Sequence, residues 1–490
     1  MKGSKAVAVL GIDLGTSSVK ALILDKAGRT LALDKAAYPV EAPQPGWAES
    51  DPARWWHATV ETVRSVLAQL PASEKIEGIG LSGQMHGVVL ADETGQPLRP
   101  AILWADTRAT AELDTYCNLP HATLLRLANP LVAGMAGPSL AWVKKHEPEV
   151  FRKIHVALQP KDWVRLRLTG EIATDPSDAS ATLLYDLPAD GWAEDVFTAL
   201  GLNRELFPQI KPSAACGGEL SKTAAVTLGL PAGIPVAVGG GDTPVAALGT
   251  GLLEPGLAQL TLGTGAQLIQ LYREPLADKT GRTHLYRTVV PGSWYGMAAV
   301  QNCGLALDWV RQTLGATWDE FYTSAATVAP GAEGVTFLPY MVHERAHQPH
   351  SQQGGAFTGL KTNHRREHLL HAALEGVAFG VRLALEALPK VDRAPYLRLS
   401  GGGSLHPAWR QMLADILGVE LVAVDTANAS ARGAALLGGL VAGTWPDAQS
   451  TAELAPAKEN STYPDTTRQP LFEAAYSRFI DLSKTLSPTN

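Results

Sequence analysis

Residues 6–25 read Ala6-Val7-Ala8-Val9-Leu10-Gly11-Ile12-Asp13-Leu14-Gly15-Thr16-Ser17-Ser18-Val19-Lys20-Ala21-Leu22-Ile23-Leu24-Asp25. Two apolar runs, each short enough for a buried strand, flank Leu14 to Ser18. The spacing predicts a β-hairpin. Gly15 lets its tip turn where a side chain would clash. A tip of backbone N–H groups and hydroxyls, with Thr16 and Ser17 at its centre and Lys20 just beyond, suits phosphate oxygens. Asp13, at the end of a strand, suits Mg²⁺, which takes few carboxylates beside water and phosphate. Taken alone, the stretch reads equally well as a glycine turn with a capping aspartate.

The pattern returns at Leu260-Thr261-Leu262-Gly263-Thr264-Gly265-Ala266-Gln267-Leu268-Ile269. Strand, Leu-Gly-Thr, small residue and strand follow in the same order. Two such hairpins in two halves of one chain imply a duplicated fold that clamps a nucleotide between lobes. Thr261 stands where the first copy has Asp13, so the first lobe is expected to hold the metal.

The length of 490 residues suggests about three domains, and two large lobes also fit. A net charge of −7 gives no electrostatic footprint for nucleic acid or an anionic membrane. Three cysteines (Cys117, Cys216, Cys303) without CxxC spacing argue against a disulfide framework and fit a reducing cytoplasm. There is no signal-peptide pattern and no uninterrupted apolar run of membrane-spanning length.

Between the hairpins, Asp51 before Pro52 reads as an N-cap and first-turn proline. The helix they open is expected to run to about Leu70, with Trp56, Val60, Val63, Val66 and Leu67 on its apolar face. Ile76 to Ser82 reads as a buried strand ending in Gly83-Gln84-Met85-His86-Gly87. A histidine after a strand is often structural. Amide, thioether and imidazole together between glycines also suit a small polyol. Trp104, Asp106 and Arg108 alternate, so on a strand they would share one face. They read either as a salt-bridged strand end or as an aromatic wall with charged groups for sugar hydroxyls. Trp47 reads as core or as part of a sugar site. Pro160 to Gly170 reads as a helix, and Thr174 to Ser180 as a polar loop. Asp242, after Gly239-Gly240-Gly241, could be a helix N-cap. Three glycines exceed what a cap needs, however, and a carboxylate there can accept the proton of an attacking hydroxyl. Gly401-Gly402-Gly403 before the helix beginning at Pro407 is a generic nucleotide turn. His343-Glu344-Arg345-Ala346-His347 matches the HExxH zinc pattern, but prolines 339 and 349 bracket it and deny it the long helix that chemistry needs.

In combination these motifs resemble those of the FGGY carbohydrate kinases, over roughly residues 6–445. The resemblance implies an α/β fold of two ribonuclease H-like lobes, of the actin, hexokinase and Hsp70 ATPase kind, with an interlobe cleft. The lobes would span 1–249 (sugar, Mg²⁺, catalytic aspartate) and 250–490 (nucleotide). It implies Asp242 as the catalytic base and ATP with Mg²⁺ as cofactors. Asp13 and Asp242 would lie at the metal. Gly15, Thr16, Ser17, Lys20, Gly263 and Thr264 would hold phosphates, and Gly402, Gly403 and Gln411 the nucleoside. Gln84-Met85-His86-Gly87 is similar to the family's D-xylulose kinases. This implies that Gln84, Met85, His86, Trp104 and Asp106 contact D-xylulose or a similar ketopentose, which would be phosphorylated at its terminal hydroxyl. Kinases for L-ribulose, L-xylulose, ribitol or glycerol are the nearest alternatives, and an actin- or Hsp70-like ATPase the more distant one. The resemblance also implies a cytoplasmic enzyme without nucleic acid or membrane partners; a homodimer stays open. Ser139 replaces a lysine of the family's first signature, so that lysine is dispensable or Lys144 or Lys145 substitutes for it. Leu405 and His406 replace a usual polar pair beside the nucleoside.

Overall fold

In the computed structural model, which describes residues 6–71, 74–342, 354–392, 394–455 and 458–485, each hairpin lies at the heart of a seven-stranded sheet. Ala6–Leu14 pairs antiparallel with Ser18–Asp25, which pairs antiparallel with Thr30–Ala37. On its other side Ala6–Leu14 runs parallel to Glu74–Gly83, followed by Pro235–Ala237 and Cys216–Glu219. The second sheet repeats the scheme. Ala258–Leu262 and Ala266–Tyr272 form the hairpin, and Trp294–Val300 continues it antiparallel. Tyr396–Ser400 lies parallel on the other flank, then Glu420–Val424 and the antiparallel Lys458–Thr462. His284–Arg287 adds an edge strand.

Helix Pro52–Gln69 starts as its sequence dictates, with the Asp51 carboxylate accepting the Ala53 N–H. Its apolar face is rotated from the expected one. Trp55 is fully buried, with its indole N–H on Ser50 Oγ, whereas Trp56, Val60 and Leu67 flank the core. Helix Pro160–Thr169 ends at Gly170, whose φ of +83° suits a left-handed cap. The polar segment after it is not an open loop. Asp175 caps a buried turn of helix, Pro176–Ala179. Helix Arg366–Ala387 is long and apolar enough to cross a membrane by length and composition, but most of it is buried against the second sheet. The HExxH segment lies outside the described residues.

One element joins the two halves. Helix Ala429–Val441, from the far end of the chain, packs on the first sheet. A Cβ at Gly11 would lie 2.2 Å from the Ala431 carbonyl oxygen. At Gly78 and Gly80 it would lie 1.9 Å from those of Gly438 and Ala434. Real Cβ atoms do not approach backbone that closely, so the strand glycines create the groove this helix fills.

Candidate functional site

Asp13 ends its strand opposite Lys20 and beside Ser82. Burial raises its carboxyl above the usual range, against the pull of Lys20 and of the nearby Ser82 hydroxyl. Its Oδ1 is buried and accepts no hydrogen bond among the described residues. Asp242 opens helix Asp242–Gly249 directly after the short strand Gly240–Gly241, so it is not the N-cap residue itself. Its Oδ1 accepts the Thr243 N–H at 2.6 Å. Burial first, and the charge of Asp13 second, push its pKa up to about 6. Two raised carboxylates that repel each other, one with an unpartnered oxygen, fit a divalent cation completed by water and phosphate oxygens.

Asp242, Thr243 and Gln267 line two spaces at once. One is a pocket of about 230 Å³, walled by Met85, His86, Trp104, Met135, Tyr286 and Met297. The other is a cleft of about 280 Å³ that reaches Lys20, Thr261 and the start of helix Ala429–Val441. Beyond the second hairpin lies a cavity of about 950 Å³. Gly263, Thr264, Gly402 and Gly403 line it, with Trp309, Trp318, Tyr322, Leu405 and His406. His406 stacks on Tyr322 with ring centres 4.7 Å apart, and Tyr322 stacks on Trp318 at 5.6 Å.

His86 holds a left-handed backbone conformation, φ 74°, that is rare outside glycine and marks functional sites. Its Nδ1 lies 2.9 Å from the Ala181 carbonyl. A carbonyl only accepts, so Nδ1 carries a proton. Met85 is buried, with its sulfur 3.6 Å from the Tyr295 hydroxyl. Trp104 reaches across to the first hairpin and donates to Thr16 Oγ1 at 3.1 Å. Gly15 closes the hairpin tip by bonding Ser18, while Ser17 is exposed beside it.

Several expected site residues lie elsewhere. Asp106 and Arg108 are not on a strand, which ends at Ile102. The Asp106 carboxylate is saturated by the Ala48 N–H and by the Arg108 amide and guanidinium, at 2.6 to 2.9 Å. Arg108 in turn pairs with Glu49 and lies 3.5 Å over the Trp47 ring. These residues brace the loop below Trp104 and do not line the pocket. Gln84 is buried behind the loop, not among the lining residues. Gln411 donates to Asp415 and to the Tyr463 carbonyl, both at 2.8 Å, and is absent from the lining of the large cavity. Lys144 bonds the Gly201 carbonyl and Lys145 faces Glu112, so neither replaces the missing lysine near the cleft.

The sequence reading missed the walls that come from afar. Gln267, Arg282, His284, Tyr286 and Met297 belong to the second half yet close the small pocket. Only strand pairing brings them there. Trp318 and Tyr322 were discernible as an aromatic pair four apart on helix Trp318–Thr327, whose start is fixed by a Thr317–Glu320 capping box.

Residues 8–249 match the N-terminal domain of the FGGY family of carbohydrate kinases, and residues 258–442 its C-terminal domain. A xylulose kinase of Escherichia coli is 34% identical over 485 residues, 98% of this chain and 99% of that protein. A gluconokinase of Bacillus subtilis is 28% identical over 447 residues, 88% of this chain and 86% of that one. The crystal structure of a xylulose kinase from Brucella ovis superposes with a TM-score of 0.91 at 33% identity, covering 98% of this chain and 99% of that chain.

Proposed function

The chain belongs to the FGGY family of carbohydrate kinases, and from that premise we propose that it transfers the γ-phosphoryl group of ATP to the terminal hydroxyl of D-xylulose. The observation that carries this reading is the position of Asp242. It stands where the small pocket opens into the cleft holding Lys20 and Thr261. A sugar in the pocket would place one hydroxyl at this carboxylate and in line with a phosphate in the cleft. The pocket suits a pentulose in size. Met85 supplies an apolar face, and His86 an imidazole to meet a hydroxyl.

Asp242 takes the proton from that hydroxyl as its oxygen attacks phosphorus. With a pKa of about 6 it is mostly ionised at neutral pH, yet a better base than an ordinary aspartate. The two hairpin tips, with Gly15, Thr16 and Ser17 on one side and Gly263 and Thr264 on the other, hold phosphate oxygens from the two lobes, 1–249 and 250–490. Lys20 offsets their charge. Gly402 and Gly403 border the nucleoside, whose base stacks among Trp309, Trp318 and His406. Asp13 and Asp242 would hold Mg²⁺, which neutralises charge on the transferring group.

A second reading, a sugar acid such as gluconate, is favoured by one feature: Arg282 and His284 on the far wall of the pocket. ADP release with Mg-ATP and D-xylulose, D-gluconate, L-ribulose, ribitol, glycerol or no sugar decides between them. Strong selective stimulation by D-xylulose is expected. Preferential stimulation by D-gluconate would move the assignment to the acid, and equal slow turnover in every well would overturn both.

A further inference from the structure

Behind Asp242 lies a buried ionic cluster that takes no direct part in the reaction above. Lys161 is fully buried with its ammonium 2.7 Å from Asp162, 3.0 Å from Asp175 and 3.1 Å from Asp178. Arg165, also fully buried, pairs with Asp162 at 2.8 Å. Burial pushes the Asp178 carboxyl well above the usual range, against the pull of Lys161. Such a cluster is costly to desolvate and weak evidence for stability on its own.

Arg165 donates to the Val238 carbonyl at 2.9 Å, just before the turn, and a hydroxyl links the cluster to the turn itself. Ser177 Oγ donates to Asp175 Oδ2 at 2.5 Å and accepts the Gly241 N–H at 2.9 Å. Both ends fix the direction, because a carboxylate facing a hydroxyl accepts and an amide donates. The Gly240–Gly241 segment is also held on its other sides. It pairs parallel with Ser82 and Gly83. A Cβ on Gly241 would lie 2.7 Å from Met85 Cγ. The peptide that carries Asp242 is thus gripped between the sugar-pocket methionine and Ser177.

We propose that Ser177 is a positioning residue for phosphoryl transfer: anchored by Asp175 and Lys161, it fixes the Gly241 amide and hence the aim of the Asp242 carboxylate. This rests on Asp242 being the base. A displacement of about 1 Å in a reacting group can cost about 100-fold in rate. A neighbour provides the control. Ser213 is equally buried and donates to the same Asp175 Oδ2 at 2.8 Å, but its side chain does not touch the Gly240–Asp242 turn.

The test compares Ser177→Ala, Ser213→Ala, Ser177→Thr and Asp242→Asn by steady-state kinetics and thermal unfolding. For Ser177→Ala, kcat is expected to fall about 10- to 100-fold, with KM for sugar and ATP within about 3-fold. Ser213→Ala is expected to keep kcat within about 3-fold while lowering Tm about as much as Ser177→Ala does. Equal kcat losses in the two alanine variants, or a Ser177→Ala loss carried by KM, would overturn the proposal. If Ser177→Ala does not fold, Ser177→Thr decides: kcat near wild type supports the hydroxyl's role, and a 10-fold or larger loss with normal Tm, on the order of a misplaced group, refutes it. Substantial activity in Asp242→Asn would instead refute the base assignment, and the positioning role with it.

Discussion

The two hairpins occupy equivalent places in their sheets but carry opposite chemistry. In the first, Asp13 is flanked by Ser82 on the parallel strand and by Lys20 on the antiparallel one. In the second, Thr261 is flanked in the same two directions by Ser400 and Gln267. The serine is common to both, and Thr261 shares a hydrogen bond of 2.9 Å with Ser400. What differs is charge: an acid and a base on one side, a hydroxyl and an amide on the other. The two copies share one scheme of strand pairing, while the ionisable groups are concentrated in one of them. The neutral copy borders the aromatic cavity. The charged copy lies against Asp242.

The largest expected effect breaks this comparison directly. Asp13→Asn should lower kcat by about 100- to 1000-fold, the scale of losing one preorganised charge at a transition state. Thr261→Val should cost about 10-fold or less, since a neutral hydroxyl contact is weaker. Single-turnover rates of the two variants measure the difference, and comparable losses would show that the copies share the work.

Next comes pH. The carboxyl of Asp242 titrates near 6, so kcat/KM should rise with pH through that region and level off above it. Asp13→Asn removes the like charge that helps raise it, so the midpoint of the residual activity should move to lower pH. Stability follows the opposite sense. A carboxyl raised in the native state binds its proton more tightly there than in the unfolded chain. Its favourable contribution is complete at low pH and is lost as pH rises through about 6. Calorimetry of Asp242→Asn should show that loss removed.

Trp318→Ala tests the neutral half. Stacking of a base on an aromatic ring contributes about 1–3 kcal/mol, so KM for ATP should rise about 10-fold while KM for sugar stays within about 2-fold. The smallest effect is expected at Gln411. Its amide is spent on Asp415 and the Tyr463 carbonyl, so Gln411→Ala should change KM for ATP by less than about 2-fold.

Both hairpins were legible in the sequence because local rules govern them: a short apolar run, a glycine turn, a second run. Asp242 stood out in the sequence because three glycines before a helix exceed what a cap needs; the structure places it first in that helix, at the meeting of pocket and cleft. Trp104, Asp106 and Arg108 misled because alternation identifies a strand only if the chain stays extended. Here Asp106 folds back onto its own neighbour's guanidinium. Gln411 misled because a helix position does not say which side has company. The wall formed by His284, Tyr286 and Met297 could not be read at all. Its strands pair locally, but they face Met85, His86 and Trp104 from the other half of the chain, and no local pattern encodes that meeting.

Helix Ala429–Val441 sets a condition on how the molecule is made. The groove it fills belongs to strands near the amino terminus, at Gly11, Gly78 and Gly80. During synthesis those strands emerge well before residues 429–441, the helix that covers their inner face. Until that helix has emerged, the nascent chain carries this face uncovered. The charged half therefore completes its packing only after the strands of the neutral half up to Val424 have been made, and a chain that stops before residue 429 leaves the first sheet uncovered.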